Sequence, residues 1–422
     1  MQTQGTAKRL ILSVMWAGVL LSASSDVAAI TKNITAEFKV DPAKPNQNIF
    51  VNTTPQEGYC VRYPTNCAAY NTFSLQLPIR FSSVVAIEAN ETDQRKGAMF
   101  KVPATWRPVE VINKKNNQRE TVEVRISGIG VLWKTDERVD VLAGFDNGDW
   151  AQAHRIFWEG GPWVYPPNGC GYSGSADWGT NHYASFWTTP NEMVCAKQAK
   201  YRIPAFRYEY VDFAYELRTP NPLGMSDGDY EGEITYSIGP NMDFDMGDVM
   251  VTSESEVTLT LTLNVQHTLK VTLPPGGNNI ELLPQGGWQQ WLSQGRKPTR
   301  LFRDQTFNIS TSSRFRMWLQ CQDSAGGDTC HIRDPVSSHS VPVNVSVSLP
   351  YGLVDESGSP VNRRPLRLKD NASDIFQPGF YLDRRAGTLH FEISPAHVAD
   401  MLEDGRERRY SGTVAVVWDS EV

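Results

Sequence analysis

Between Asp146 and Cys195 the chain gathers side chains suited to holding a sugar or a peptide rather than to breaking a bond. Trp150, Trp158, Trp163, Trp178 and Trp187 stand among Phe157, Tyr165, Tyr172, Tyr183 and Phe186. Aromatic faces stack on the apolar faces of sugars, while polar neighbours fix orientation. Asp146, Asn147, Asp149, His154, Arg155 and Asp177 lie in the same stretch and could supply those hydrogen bonds. The candidate receptor-binding set is therefore Trp150, His154, Arg155, Trp158, Trp163, Tyr165 and Trp178. The competing expectation is packing. Tryptophans are highly buried on average, so most of these rings should form a satellite core under the loop, leaving some exposed member for contact. His154 and His182 read as surface or core histidines, not catalytic ones.

Bond-breaking chemistry finds no comparable support. Gly-x-Ser-x-Gly is absent, as is a phosphate-cradling glycine loop, and no nucleophile–base pair or pair of acids shows as a motif. Asp227-Gly228-Asp229-Tyr230-Glu231 is an acidic turn without the twelve-residue spacing of a calcium loop, and reads as a solvated turn. No enzymatic activity, cofactor or metal is expected. The net charge of −7 makes no case for nucleic acid or anionic lipid as the main partner.

Lys8-Arg9, the apolar run Leu10 to Leu21 and then Val27-Ala28-Ala29 have the layout of a secretory signal peptide, 1–29, cleaved between Ala29 and Ile30. The apolar run is too short to anchor in a bilayer. All six cysteines follow it, and an even count in an exported chain suggests disulfides. Proximity favours Cys60–Cys67, Cys170–Cys195 and Cys321–Cys330 among the fifteen possible pairings. A metal set is weakly supported, since no Cys-x-x-Cys occurs and only His331 adjoins a cysteine. Six Asn-x-Ser/Thr sites, at Asn33, Asn52, Asn90, Asn308, Asn344 and Asn371, matter only on a eukaryotic secretory route.

The elements that must position these residues are strands. From Val257 to Val265 every odd position is apolar and every even one polar, the period of a half-buried strand. The phase returns at Leu269, Val271 and Leu273, broken where His267 takes an apolar slot. One strand over this length would span roughly 55 Å, too long for an ordinary strand. Two strands are expected, jointed at Gln266-His267, with the last strand of one domain running almost directly into the first of the next and the pair forming a stiff rod. The division is 30–266 and 267–422. Further runs (Ile30–Val40, Phe73–Ile79, Ser83–Ala89, Val109–Ile112, Thr121–Trp133, Lys200–Leu217 and Glu231–Ile238) are separated by turn residues, without long amphipathic helices. The second part adds Asn279–Leu283, Phe315–Gln320, Val341–Leu349, Thr388–Ile393 and Tyr410–Trp418, and a short helix over Ala396–Glu403 ended by Gly405. The fold class is all-β, two tandem β-sandwich domains. The stretch 146–195 keeps no period and reads as one long irregular loop.

Tyr230-Glu231-Gly232-Glu233 and Tyr410-Ser411-Gly412-Thr413 each open an alternating strand near the end of a domain. After the first copy comes the strand Val257–Val265; after the second only Asp419 to Val422 remain. Built alike, the second domain lacks its closing strand, and an open sandwich of that kind is completed by a strand from another chain. An ordinary sandwich with another strand order is the alternative reading.

In this order of features the chain resembles the minor tip-adhesin subunits of colonisation-factor fimbriae, the alpha class of chaperone–usher pili. The features are a signal peptide, two local cysteine pairs (Cys60/Cys67 and Cys170/Cys195), the strand TLTLTLNV, a very short joint, LKVTLPPGGNNIELLP and the closing YSGTVAVVW. The resemblance implies that the two sandwiches are immunoglobulin-like, the second lacking a closing strand, and that the N-terminal one is an adhesin domain binding a host-surface glycan or glycoprotein. It also implies a C-terminal pilin domain, a donor-strand acceptor held by a periplasmic chaperone and delivered through an outer-membrane usher. A strand from the major pilin would then replace the chaperone at the fimbrial tip on the cell surface, and no N-terminal donor segment is expected before Ile30. Family members use a cluster of arginines, one pair just before the last adhesin strand; here that stretch is SIGPNMDFDMGD, without arginine. The third pair, Cys321/Cys330, is not a feature of the resemblance. A non-adhesive pilus-initiating subunit and, further off, a secreted carbohydrate-active enzyme are the other readings.

Overall fold

The computed structural model describes residues 30–368, 374–403 and 407–420. Residues 1–29, with their signal-peptide reading, the site at Asn371 and the helix-ending Gly405 lie outside the described residues. Among those residues, no helix is long and apolar enough to cross a membrane.

The alternating strand forms over Glu256–Gln266, and its apolar positions Val257, Leu259, Leu261, Leu263 and Val265 are buried. It pairs on both sides. One neighbour is Gly228–Ser237, antiparallel from Gly228↔Val265 to Ser237↔Glu256. The other is Ile30–Lys39, parallel from Ile30↔Val257 to Lys39↔Gln266. The sheet continues through Arg107–Asn113 and Arg119–Thr135 to Phe206–Arg218. One apolar cluster, drawn from Ile34 to Val265, fills its interior.

The stretch 146–195 is not one irregular loop. It contains a helix over Trp150–Ile156 and an antiparallel pair, Gly171–Trp178 with His182–Thr188, added to the Arg119–Thr135 strand. Alternation was hidden there because His182–Thr188 is buried on both faces, with Tyr183, Ser185 and Trp187 toward the main core and Phe186 on the satellite cluster of Tyr59, Cys60, Cys67 and Ala214. Gly130 permits that contact, since a Cβ there would stand 2.6 Å from the Phe186 ring. Cys60 and Cys67 sit on two short helices, Tyr59–Arg62 and Pro64–Tyr70, the second with proline in its first turn.

A second apolar cluster runs from Leu301 to Val398. Leu269–Thr272 pairs with Leu301–Thr311, which pairs in turn with Leu382–Ile393 and so with Ser340–Ser348. Facing this sheet, Phe315–Cys321 carries Ile375–Pro378 on one side and Val414–Asp419 on the other. Leu301–Thr311 is absent from the sequence expectations because Gln305 takes a core-side slot between Leu301 and Phe307. The short helix occupies Pro395–Met401, with Pro395 in the first turn. The three disulfides are Cys60–Cys67, Cys170–Cys195 and Cys321–Cys330, and among the described residues no cysteine is free.

The two clusters meet at His267. Its Nδ1 lies 3.2 Å from Ser312 Oγ, its Nε2 2.8 Å from the Met225 carbonyl, and its ring 5.5 Å from Phe38. Its backbone N–H donates to Asp227 at 2.6 Å. The acidic turn seen in the sequence is thus part of the joint.

Candidate functional site

Strand directions set the place of the site. Arg119 pairs with Ile112, next to the end where Gln266 leads to the joint, and the strand then runs to Thr135. At about 3.3 Å per residue that carries it roughly 50 Å along its path. The segment after Thr135 forms the opposite pole. Asp140 anchors it, receiving Arg138 Nη2 at 2.6 Å and the Gly148 N–H at 2.8 Å. The Arg138 guanidinium chiefly, helped by the Gly148 N–H, holds the Asp140 carboxyl down to about 2. Asp149 caps the next helix, accepting from Gln152 N at 2.9 Å. The turn 179–182 is stapled beneath: Asn181 and Thr180 carbonyls accept from Thr135 and Val139 N–H at 2.9 Å each.

One helical turn separates Trp150 from His154, so both face the same way, and both meet Trp178. Trp150 stands edge-on to Trp178 at 5.1 Å, and His154 at 6.1 Å. His154 Nε2 lies 2.7 Å from the Gly179 carbonyl. Burial pushes its pKa below the ordinary histidine value. It is a buried brace.

Of the seven sequence candidates the structure brings Trp150, His154 and Trp178 together and sorts the rest by exposure. Trp178 is 42% exposed, Trp150 half-buried and Arg155 exposed. Trp158 and Trp163 are sealed inside around Trp133, at 5.8 and 6.2 Å from its ring, and present no face to a solute. Trp163 also stacks on Trp187 at 4.9 Å. Tyr165 is exposed, away from the Trp150–Trp178 contact, and stacks on Tyr172 at 6.0 Å with the planes 14° apart. Tyr172 is the exposed ring that the sequence set omits. Its position in a strand facing Trp187 was the signal, invisible without the strand.

Lys197 pins the loop between the two buried tryptophans. Its ammonium donates to the carbonyls of Gly161, Pro162 and Glu159 at 2.9, 3.2 and 3.4 Å. Burial pushes its pKa down to about 8. Among the described residues no group of three or more His, Cys, Asp or Glu is placed to hold a metal.

A second feature is the seam in the second body. Val414–Asp419 has Phe315–Cys321 as its one strand neighbour, and Leu269–Thr272 has Leu301–Thr311 as its one, among the described residues. Val414, Val416, Trp418, Leu269 and Val271 are half-buried and pack on the core from the two sides, with Trp418 against Phe307 and Phe315 at 4.9 and 5.6 Å. In the first body the corresponding position, beside Gly228–Ser237, is filled by Glu256–Gln266. The glycine of the shared Tyr-x-Gly faces a backbone carbonyl in both bodies, more closely in the first than in the second. A Cβ on Gly232 would meet the Glu110 carbonyl of the next strand at 2.2 Å, and on Gly412 the His331 carbonyl at 3.1 Å.

No protein-family model and no curated protein matches the chain. Among solved structures it is similar to a chaperone–tip adhesin complex of CFA/I fimbriae biogenesis, at 10% identity over 93% of this chain and 96% of that one, TM-score 0.25. It is also similar to CfaE, the adhesive subunit of the CFA/I fimbria of enterotoxigenic Escherichia coli, at 10% identity, 92% of each chain and TM-score 0.24. A third is the CsuC–CsuE chaperone–tip subunit pre-assembly complex of archaic Csu pili from Acinetobacter baumannii, at 7% identity, 93% and 98% coverage and TM-score 0.21. These neighbours are chaperone–usher tip adhesins. Likenesses of this size carry no argument, and the functional reading stands on the chain's own geometry.

Proposed function

We propose that the chain is a tip adhesin of a chaperone–usher pilus, divided at 266/267. The first body binds a host-surface glycan at the pole that carries Trp150, Trp178 and Arg155. The second is completed by a strand from another subunit. The observation that carries this reading is that Val414–Asp419 and Leu269–Thr272 are, among the described residues, one-sided edges of two sheets whose half-buried apolar side chains pack on the same core, where the first body has its own closing strand. An open seam of this kind leaves backbone groups and apolar surface in water, which an exported chain must have covered. A periplasmic chaperone would cover it first, a neighbouring pilin after passage through the usher.

The first body also supplies the template for the donor. Its closing strand is antiparallel to the Tyr-x-Gly strand and parallel to the first strand, with every second side chain buried. A donor with the same alternation should run antiparallel to Val414–Asp419.

The test exports residues 30–422 bare, and with the sequence of residues 256–266 fused after Val422 through a flexible linker. A third form carries serine at the fused apolar positions. Seating several apolar side chains should raise the unfolding midpoint of the second body by about 10 °C or more, and the serine form should match the bare chain. Equal midpoints in all three forms would show the second body to be complete and remove the pilus reading. Adhesion retained by the chain after Trp178→Ala would move the receptor site away from the pole.

A further inference from the structure

Tyr172 and Trp178 belong to one strand, Gly171–Trp178, whose one strand neighbour among the described residues is His182–Thr188. Tyr172 lies opposite Trp187 and Trp178 opposite Tyr183. Side chains directly opposite share a face, and Tyr183 and Trp187 are four residues apart, so both rings lie on one face about 13 Å apart. The extra residues on the outer strand are absorbed in an irregularity between Tyr172 and Ala176. Each exposed ring is backed by another: Tyr172 by Tyr165, 52% and 54% exposed, and Trp178 by Trp150. The result is two aromatic platforms on one edge, further apart than a single sugar ring reaches.

We propose that these platforms are subsites for two non-adjacent units of one neutral oligosaccharide lying along the Gly171–Trp178 strand. The inference rests on the reading of the pole as the receptor site and extends it to Tyr165 and Tyr172. Aromatic faces take the apolar faces of sugars, and two of them separated in this way read chain length. Neutrality follows from charge. Arg207 offsets Asp136, Lys200 offsets Glu159, and Arg138 is engaged by Asp140 and Asp146, which leaves Glu137, Asp149 and Asp177 against Arg155 in residues 136–182. An anionic sugar would meet repulsion there. A peptide strand adding to the same edge needs an unbroken ladder, which the irregularity at 172–176 interrupts.

The test is binding of the full chain, with and without Tyr172→Ala or Trp178→Ala, to an array of neutral and sialylated glycans of one to six units. The parent should prefer neutral chains of three or more units over mono- and disaccharides by about ten-fold. Each substitution should remove that preference by a similar factor without lowering the thermal midpoint, and Tyr172→Phe should retain it. Loss on Trp178→Ala but not on Tyr172→Ala would leave the pole as the site and overturn the extended chain. Binding independent of length, a preference for sialylated chains, or no binding by the parent to any member of the array would overturn it as well.

Discussion

At the residue scale, exposure is the single variable that divides the tryptophans of one aromatic stretch into those that pack and those open to the proposed receptor. Trp158, about 1% exposed, contributes area to the core, so Trp158→Ala should cost about 3–5 kcal/mol in denaturant unfolding of the first body. Trp178→Ala at the surface should change stability by no more than about 0.5 kcal/mol while removing glycan binding. Asp140 gives a pH signature. Its carboxyl drops from 3.8 to about 2 in the folded chain, so its stabilisation is fully present above about pH 4 and is lost as pH falls through about 2. Tryptophan fluorescence from the pole should therefore shift over that window. The change should flatten in Asp140→Asn, where no carboxylate remains to protonate; an unchanged acid profile in that variant would assign the transition to other carboxylates.

At the element scale, the pole is held by cross-links between stretches that have no period of their own. Cys170–Cys195 closes 25 residues of chain, a loop that by chain entropy is worth about 3.5 kcal/mol. The double substitution to serine should lower the stability of the first body by about that amount. It should also weaken binding at Tyr165 and Tyr172, which lie on either side of Cys170, more than at Trp150, whose helix is held separately through Asp140 and Asp149. Binding measured with short and long glycans separates the two effects. The seam belongs to this scale as well, because neither bordering strand is unusual alone. What sets them apart is that, among the described residues, each has one strand neighbour where Gly228–Ser237 has two.

For the whole molecule, the joint decides how a load on the second body reaches the pole. His267 touches Met225 and Phe38 on one side and Ser312 on the other. Asp227 faces its backbone, with Arg314 also within electrostatic reach. Burial is the main cause that lowers its pKa below 6.5. The unfolded or detached form therefore binds a proton more readily, and the contact should weaken as pH falls below about 6.5. Scattering or energy transfer between labels on the two bodies should report a wider range of inter-body distances at pH 5 than at pH 7.5. His267→Phe should remove the pH dependence, whereas a distance distribution insensitive to pH in the parent would exclude this role.

The sequence by itself determined the strands whose two faces see different surroundings. Glu256–Gln266 and Ser340–Ser348 each bury one face and wet the other, so alternation was written into their residue types. The cysteine pairs were legible from their local spacing. Tertiary structure alone decided the rest. His182–Thr188 is covered on both faces and shows no alternation, and Leu301–Thr311 hides its period behind the buried Gln305. The choice of Trp178 and Tyr172 over Trp158 and Trp163 as exposed rings depends on which face of an edge strand is left uncovered. That is set by a pairing between distant segments, which residue type and local spacing do not encode.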